Sequence, residues 1–363
     1  MVHFALLLEA SMLTMPATTP AVADSTPKAH TRISGLTFGD LYWNVDGDPA
    51  HRYEVDTGVD SGKVNLDASG RPITRDLNGV QLRRIYFQAD HDLSPDWAAR
   101  LRLEMDSRSL TDDGKIAPFV KNAYLQRKHL GPVSDVLVGM MDTPTWQTAE
   151  EFWGYRSVER TVGDFLGLAS SSDLGLRANA ATDSTRHVGA YAMVGTGTGQ
   201  RPENNRYKRF YLAVPLGVSK FVFEPYVDYE DWPAGNDRAT YRVFTGARFA
   251  HGAVGLELYD RIRHAPAGNG ELRAASLFGR YKAAGRLGFF ARVDHWDPDV
   301  RAANRLKQWL WIGGLDWEPA KDVHVMPNFE AMRYDAHGTA VAPASNDLQL
   351  RLTFYYRFSG PES

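Results

Sequence analysis

Near its C-terminus the chain alternates without a break. In residues 347–358, Leu348, Leu350, Leu352, Phe354, Tyr356 and Phe358 share one side, and Gln349, Arg351, Thr353, Tyr355 and Arg357 share the other. Successive side chains of a strand point to opposite faces, so an extended chain here has one apolar face and one polar face. The same period of two recurs along the chain. Ala99, Leu101, Leu103 and Met105 alternate with Arg100, Arg102, Glu104 and Asp106, and Phe221, Phe223, Val227 and Tyr229 with Glu224, Tyr226, Asp228 and Glu230. A chain patterned this way folds as sheet, and helical periodicity almost disappears after Ile33.

Sixteen such segments follow one another, from residues 33–45 to residues 347–358. Each is close to the 9–11 residues or so that a tilted membrane strand needs. The connections alternate between long and short. Residues 46–79, 107–116, 142–172 and 196–206 are long, whereas 92–96, 128–133, 216–219, 250–252 and 320–322 are tight. That alternation is the mark of an up-and-down barrel in a membrane and has no counterpart in a Greek-key sandwich. No run of about 18 apolar residues offers a membrane-spanning helix, a test that leaves strands untouched.

The polar face is too charged for a dry interior. Arg84, Arg100, Arg102, Arg177, Arg242, Arg248, Arg292 and Arg351 share it with acids such as Glu104, Asp173, Glu224, Asp228, Glu257, Asp294 and Glu330. Burying so many charges unpaired is prohibitive. Lipid outside and water inside resolves the conflict, and sixteen strands are enough for an aqueous channel. The expected fold class is therefore all-β: a 16-stranded antiparallel transmembrane β-barrel with long extracellular loops, short periplasmic turns and an inward-folded third loop. Tyr42, Trp43, Trp97, Tyr229, Trp232, Trp296, Trp317 and Phe358 are expected in its interfacial girdles.

The third loop, residues 142–172, carries aromatic and charged residues that argue against disorder. A helical turn is expected near Thr148, with Glu150 and Glu151 favourable at its start, and Arg156 and Arg160 four apart on one face. If the loop enters the lumen, Arg156, Glu159, Arg160 and Asp164 form the constriction, facing pore-lining Arg84, Arg100, Arg102 and Glu104; the bland alternative is a loop capping the rim.

The N-terminus reads as an export signal. Residues 4–8 are apolar, and Ala21-Val22-Ala23 before Asp24 suits a small-x-small cleavage site, although the first basic residue is Lys28. The expected organisation is a signal peptide at 1–23, a short segment at 24–32, the barrel at 33–358 and a tail at 359–363. The chain has 41 Lys and Arg against 44 Asp and Glu, a balance that argues against nucleic acid as partner. There is no cysteine, so thiolate chemistry is excluded, and His187, His295 and His324 lack paired-ligand spacing. The glycine-rich Gly195–Gly199 stretch has no following helix to receive a phosphate, and Asp46-Gly47-Asp48 and Asp297-Pro298-Asp299 read as ordinary turns. No cofactor or metal is expected. An outer-membrane barrel enzyme or adhesin is the alternative to a channel.

Several local motifs add a resemblance. Leu82-Arg83-Arg84, Lys121-Asn122-Ala123-Tyr124-Leu125, the run from Val138 to Pro144, Trp153-Gly154-Tyr155-Arg156 with Glu159-Arg160, and Asp173-Leu174-Gly175-Leu176 are similar to the outer-membrane porins, specifically the phosphate-selective porin family and its relatives. The resemblance implies a 16-stranded, usually homotrimeric passive channel for small hydrophilic solutes or ions in the outer membrane. Two departures limit it. Phe358 is followed by Ser359-Gly360-Pro361-Glu362-Ser363, where the family usually ends on an aromatic residue, and the lumen is mixed in sign. Phosphate specificity is therefore not carried over, and the expected ion preference is at most modestly for anions.

Overall fold

In the computed structural model the chain forms a closed antiparallel barrel. The structure describes residues 30–47, 52–53, 63–64, 75–106, 109–131, 133–181, 188–283, 285–339, 341 and 345–360. The expected signal peptide at 1–23 lies outside them, as do His187, Asp48 and most of the tail.

The barrel strands in chain order are β1 (His30–Asp46), β2 (Asn78–Ser94), β3 (Trp97–Asp106), β4 (Phe119–Leu130), β5 (Val133–Asp142), β6 (Ser172–Ala181) and β7 (Gly189–Gly195). The eighth, β8, runs through Arg209–Ala213 and Leu216–Val218. Then come β9 (Phe221–Trp232), β10 (Asn236–Phe249), β11 (Gly252–His264), β12 (Gly270–Lys282), β13 (Leu287–Asp297), β14 (Arg305–Ala320), β15 (Val323–His337) and β16 (Asp347–Ser359). The two pieces of β8 pair with the same partner, Arg209 with Glu230 and Leu216 with Phe223. Pro215 between them has no N–H for the ladder, which accounts for the break. Closure comes from β1, which pairs with β2 through Phe38 and Arg84 and with β16 through Leu41 and Leu352.

All sixteen expected segments are strands, with ends shifted by a few residues. The first begins at His30, so the segment expected at 24–32 partly belongs to the barrel. At the long-loop end two connections are shorter than expected. Residues 233–235 and 265–269 suffice because β9, β10 and β11 run to 12, 14 and 13 residues and take up the chain.

Outside, the barrel is an apolar band. Leu41, Leu101, Val138, Leu176, Phe210, Leu258, Leu277, Trp311 and Leu350 are all exposed. A continuous apolar surface of this kind needs lipid or protein against it. Trp43, Trp97, Tyr229, Trp317 and Phe358 lie on this outer face as the girdle requires. Tyr42 and Trp296 do not: both are buried inside the barrel. A strand end has two faces, and parity puts these two rings on the inner one, Trp296 beside Phe165 of the third loop with ring centroids 5.8 Å apart.

Candidate functional site: the barrel interior and its third loop

The third loop, residues 143–171, holds two short helices, α1 (Gln147–Trp153) and α2 (Val162–Phe165). Helix α1 starts without a side-chain cap and ends at Gly154, whose φ of 73° is the left-handed conformation that glycine adopts freely. Too short to stand alone, it is held by packing against β10, β11 and β12 inside the barrel. Phe152 meets Phe244 at 5.2 Å between ring centroids, Trp153 meets Phe278 at 5.6 Å and Phe290 at 5.9 Å, and Tyr155 meets Phe290 at 4.2 Å. Ala149, Val158, Val162, Leu166 and Leu168 of the loop join Leu272, Leu310, Ile312 and Met326 of the wall in one buried cluster. The inner face of β9–β15 is thus substantially apolar, and the loop covers it.

Arginines of the wall fix the loop backbone. Arg83 donates to the carbonyls of Ser157 and Val158, and Arg351 to that of Val158. Arg209 donates to Leu168 at 3.0 Å, Arg261 to Gly167 at 2.9 Å and Arg280 to Phe152 at 2.9 Å. Arg292 donates to the carbonyl of Arg160. A loop without regular structure has orphan carbonyls that must find donors when buried, and these guanidiniums supply them.

Glu159 sits at the centre of this clamp. It is expected at the narrowest point, yet it has no exposed surface. Its carboxylate lies 3.3 Å from Arg83, 3.4 Å from Arg160 and 4.0 Å from Arg351, and Arg83 and Arg351 reach on to Asp40 and Glu330. Burial would raise the Glu159 carboxyl, but the guanidiniums of Arg83, Arg160 and Arg351 hold it down to about 2. Trp153 donates its Nε1 to the Glu159 carbonyl at 2.8 Å. Glu159 therefore pins the loop to the wall.

The other expected residues divide in two. Arg242, Arg292, Arg351 and Arg177 face inward but are buried in pairs and hydrogen bonds. Arg242 sits between Glu224 and Glu257 at 2.7 and 3.0 Å, Arg292 binds Asp294, and Arg177 donates to Asn179 and to the Asp142 carbonyl. Arg248, nearer the short-turn end, lies 3.6 Å from Glu151 and over the Phe152 ring. The first four are filled in by the loop and by their own acids, so water need not solvate them, whereas Arg248 keeps 36% of its side-chain surface.

Against them stands a second group. Arg100, Arg102 and Asp142 on the β3–β5 side keep 26%, 21% and 37% of their side-chain surface, and Glu150, Arg156 and Arg160 of the loop keep 23%, 21% and 17%. Arg156 bridges Glu150 at 2.6 Å and Asp164 at 2.5 Å. Across from them, Arg84 pairs with Glu104 at 2.7 Å, and Lys121 shares that carboxylate at 3.2 Å. Asp164 is close enough to act on Arg84, and Arg84 and Lys121 on Glu150. Arg102 lies 3.6 Å from Asp142 and over the Tyr86 ring, and Arg100 lies over Tyr124. Burial, and after it the Asp164 carboxylate, push the Glu150 carboxyl well above the usual carboxylate range.

Three charged residues of the interior escape the sequence reading. Lys121 and Arg83 sit at bulges, where the register steps from Phe38↔Arg84 to Gly39↔Leu82 and from Arg102↔Asn122 to Leu103↔Val120. The extra residue lets two neighbours, Arg83 with Arg84 and Lys121 with Asn122, both turn inward. The signal was present: strict alternation would aim a charge at lipid, so adjacent polar residues mid-strand require a bulge. Glu150 was visible only as a helix-start acid. Among the described residues, no group of three or more His, Asp or Glu is placed to hold a metal ion.

No protein-family model and no curated protein sequence matches the chain. Solved structures do. The anion-selective porin from Comamonas acidovorans is 12% identical with a TM-score of 0.61, over 91% of this chain and 100% of that one. The outer-membrane channel DcaP of Acinetobacter baumannii is 13% identical with a TM-score of 0.61, over 93% and 100%. The trimer form of OmpT, an outer membrane protein of Vibrio cholerae, is 12% identical with a TM-score of 0.57, over 91% and 99%. At such identities the likeness establishes one thing, that this chain has the closed sixteen-stranded fold of these outer-membrane barrels.

Proposed function

We propose that the chain is an outer-membrane channel through which small hydrophilic solutes or ions diffuse passively, between the third loop and the β2–β5 wall. The long loops face the cell exterior and the short turns the periplasm. The observation that carries this reading is the split interior. An apolar outer band encloses a barrel whose partly exposed inner charges gather along one side of the loop, while on the other side Arg242, Arg292 and Arg351 are buried in pairs and open charges such as Arg248 lie toward the short-turn end. Passive selection needs no catalytic group, only a constriction of suitable size and charge.

The charges along the passage nearly balance. Arg84 and Lys121 share Glu104, Arg100 faces Asp90, Arg102 faces Asp142, Arg160 faces Glu159, and Arg156 serves both Glu150 and Asp164. With the balance this close and water screening each charge, the preference for anions is at most modest. A homotrimer follows the trimer form of the similar OmpT structure. Planar-bilayer recording tests the channel: stepwise conductance with a small anion-directed reversal potential in a KCl gradient is expected, and protein that inserts without conducting would overturn the reading. Crosslinking in detergent tests the trimer.

A further inference from the structure

The long-loop mouth holds a cavity of about 730 Å³, within the size range of small-molecule sites. Its two sides differ in kind. One is apolar: Leu110, Ala117 and Pro118 from the second loop and Phe119 at the start of β4. Leu110 is 53% exposed and Ile116 beside it 40%, an apolar pair at the mouth. It is held in place, because Leu110 bridges Ile116 and Thr111 donates to the Lys115 carbonyl at 2.8 Å.

The other side is cationic. Arg238 donates to Glu230 at 2.6 Å, but Glu230 also faces Arg209 at 3.8 Å, and Arg209 is already committed to Asp228 and the Leu168 carbonyl. The guanidiniums of Arg209 and Arg261 both press on Arg238. Its Nε is buried without a hydrogen-bond partner in the protein, and its Cζ lies 4.6 Å from the Trp232 ring centroid. The fourth loop closes over this pair at Gly197, where a Cβ would stand 2.3 Å from a Glu230 carboxylate oxygen. A larger residue there would push the backbone off the arginines and open the floor.

We propose that this cavity captures organic carboxylates with an apolar body, of about the size of an aromatic acid, before they enter the passage. The carboxylate meets Arg238, and the apolar body lies against Leu110 and Phe119. The inference rests on the channel reading and names its solute class. A simple inorganic anion uses the cationic side alone, and a neutral aromatic uses the apolar side alone; only a molecule with both satisfies the two walls.

Calorimetry on the full chain in detergent tests this, with benzoate, acetate and benzyl alcohol as probes. Benzoate is expected to bind at least about tenfold tighter than either of the others, the scale of one charge-assisted hydrogen bond or one buried apolar group. Arg238→Gln and Leu110→Ser should each lower benzoate affinity about tenfold, by the same measure. The second variant is on an exposed loop and should leave the unfolding temperature unchanged, so its result does not depend on the first variant folding. Equal affinity for benzoate and acetate, or an unchanged affinity in Leu110→Ser, overturns the proposal. KCl conductance, measured separately, distinguishes the two readings. A conducting protein indifferent to benzoate loses this site and keeps the channel, whereas a benzoate binder that carries no current loses the channel and keeps the site.

Discussion

The two halves of the barrel wall share strand geometry and outer surface but differ inside. From β9 to β15 the inner face presents Phe244, Leu272, Phe278, Phe290, Leu310, Ile312 and Met326, and the third loop is packed on it. From β2 to β6 the inner face presents Arg84, Arg100, Arg102, Glu104, Lys121, Asp173 and Arg177, and its most accessible members look across at the loop's charged edge. The difference teaches that an inner face is set by what covers it. Where protein covers the wall, side chains are apolar or their charges are spent on loop carbonyls and buried acids. Where the loop stands off, charges remain in loose pairs with surface to spare.

The largest expected effect is on the clamp. Glu159→Ala leaves Arg83, Arg160 and Arg351 facing a cavity with one carboxylate fewer. Breaking a buried pair by removing one partner costs about 3–5 kcal/mol. The loop should then detach, seen as higher single-channel conductance and new protease cleavage within residues 143–171. The low Glu159 value fixes the pH dependence: the clamp contributes fully above the ordinary carboxylate range and is lost only as pH falls toward about 2. Unchanged conductance and cleavage would show that the apolar packing alone holds the loop, and the halves would then differ less than the arginines suggest.

Next in size is the outer face, which should behave alike around the barrel. Leu101 on β3 and Leu352 on β16 both point outward. An arginine at either should cost about 2–4 kcal/mol if the position is near the bilayer midplane. Equilibrium unfolding in lipid vesicles measures it. A clear inequality between Leu101→Arg and Leu352→Arg would mean that one patch is covered by protein and not lipid, which would sharpen the trimer proposal.

The strand pattern was readable because period two is local: each residue's parity follows from its neighbours, and sixteen segments could be placed with ends a few residues off. The interior was readable only in part because parity says which face a residue takes and not what lies against it. Trp309-Leu310-Trp311-Ile312 shows this. Trp309 and Trp311 point out, while Leu310 and Ile312 point in and are buried under the loop, so the inner face is apolar at that point. Arg292 and Arg351 look like pore-lining charges from sequence because the carbonyls they bind, at Arg160 and Val158, lie 132 and 193 residues away. Thr353 shows the same limit: on the polar face it looks wet, yet it is fully buried, bonded to Asp40 and Asn328.

Smaller effects belong to the passage. Arg102→Gln removes a partly exposed cation, and such pairs contribute about 0–1 kcal/mol to stability. Folding should therefore change little while the reversal potential in a KCl gradient moves toward cations. Arg242→Gln is the control from the covered half: its charge is sealed between Glu224 and Glu257, so stability should fall with less direct effect on selectivity. If Arg242→Gln at equal loop occupancy shifted selectivity as much as Arg102→Gln, the covered half would not be sealed.

The smallest effect expected is a pH dependence of selectivity at Glu150. Its carboxyl is pushed above the usual range by burial and by Asp164, so it takes up a proton at higher pH than an exposed carboxylate, whose value is about 4.3. As pH falls, the passage should lose this one negative charge before the exposed acids titrate, and the reversal potential should move toward anions at that step. The sign of the linked stability term is the same in direction: a raised folded value means that protonation favours the folded loop, so docking should tighten slightly as pH drops through that window. Glu150→Gln should abolish the early step and leave the later, ordinary titration in place, because Asp164 still holds Arg156. A reversal potential that titrates identically in the wild type and in Glu150→Gln would mean that the permeating ions do not sense the loop's charged edge, and the boundary between the two halves would have to be drawn elsewhere in the lumen.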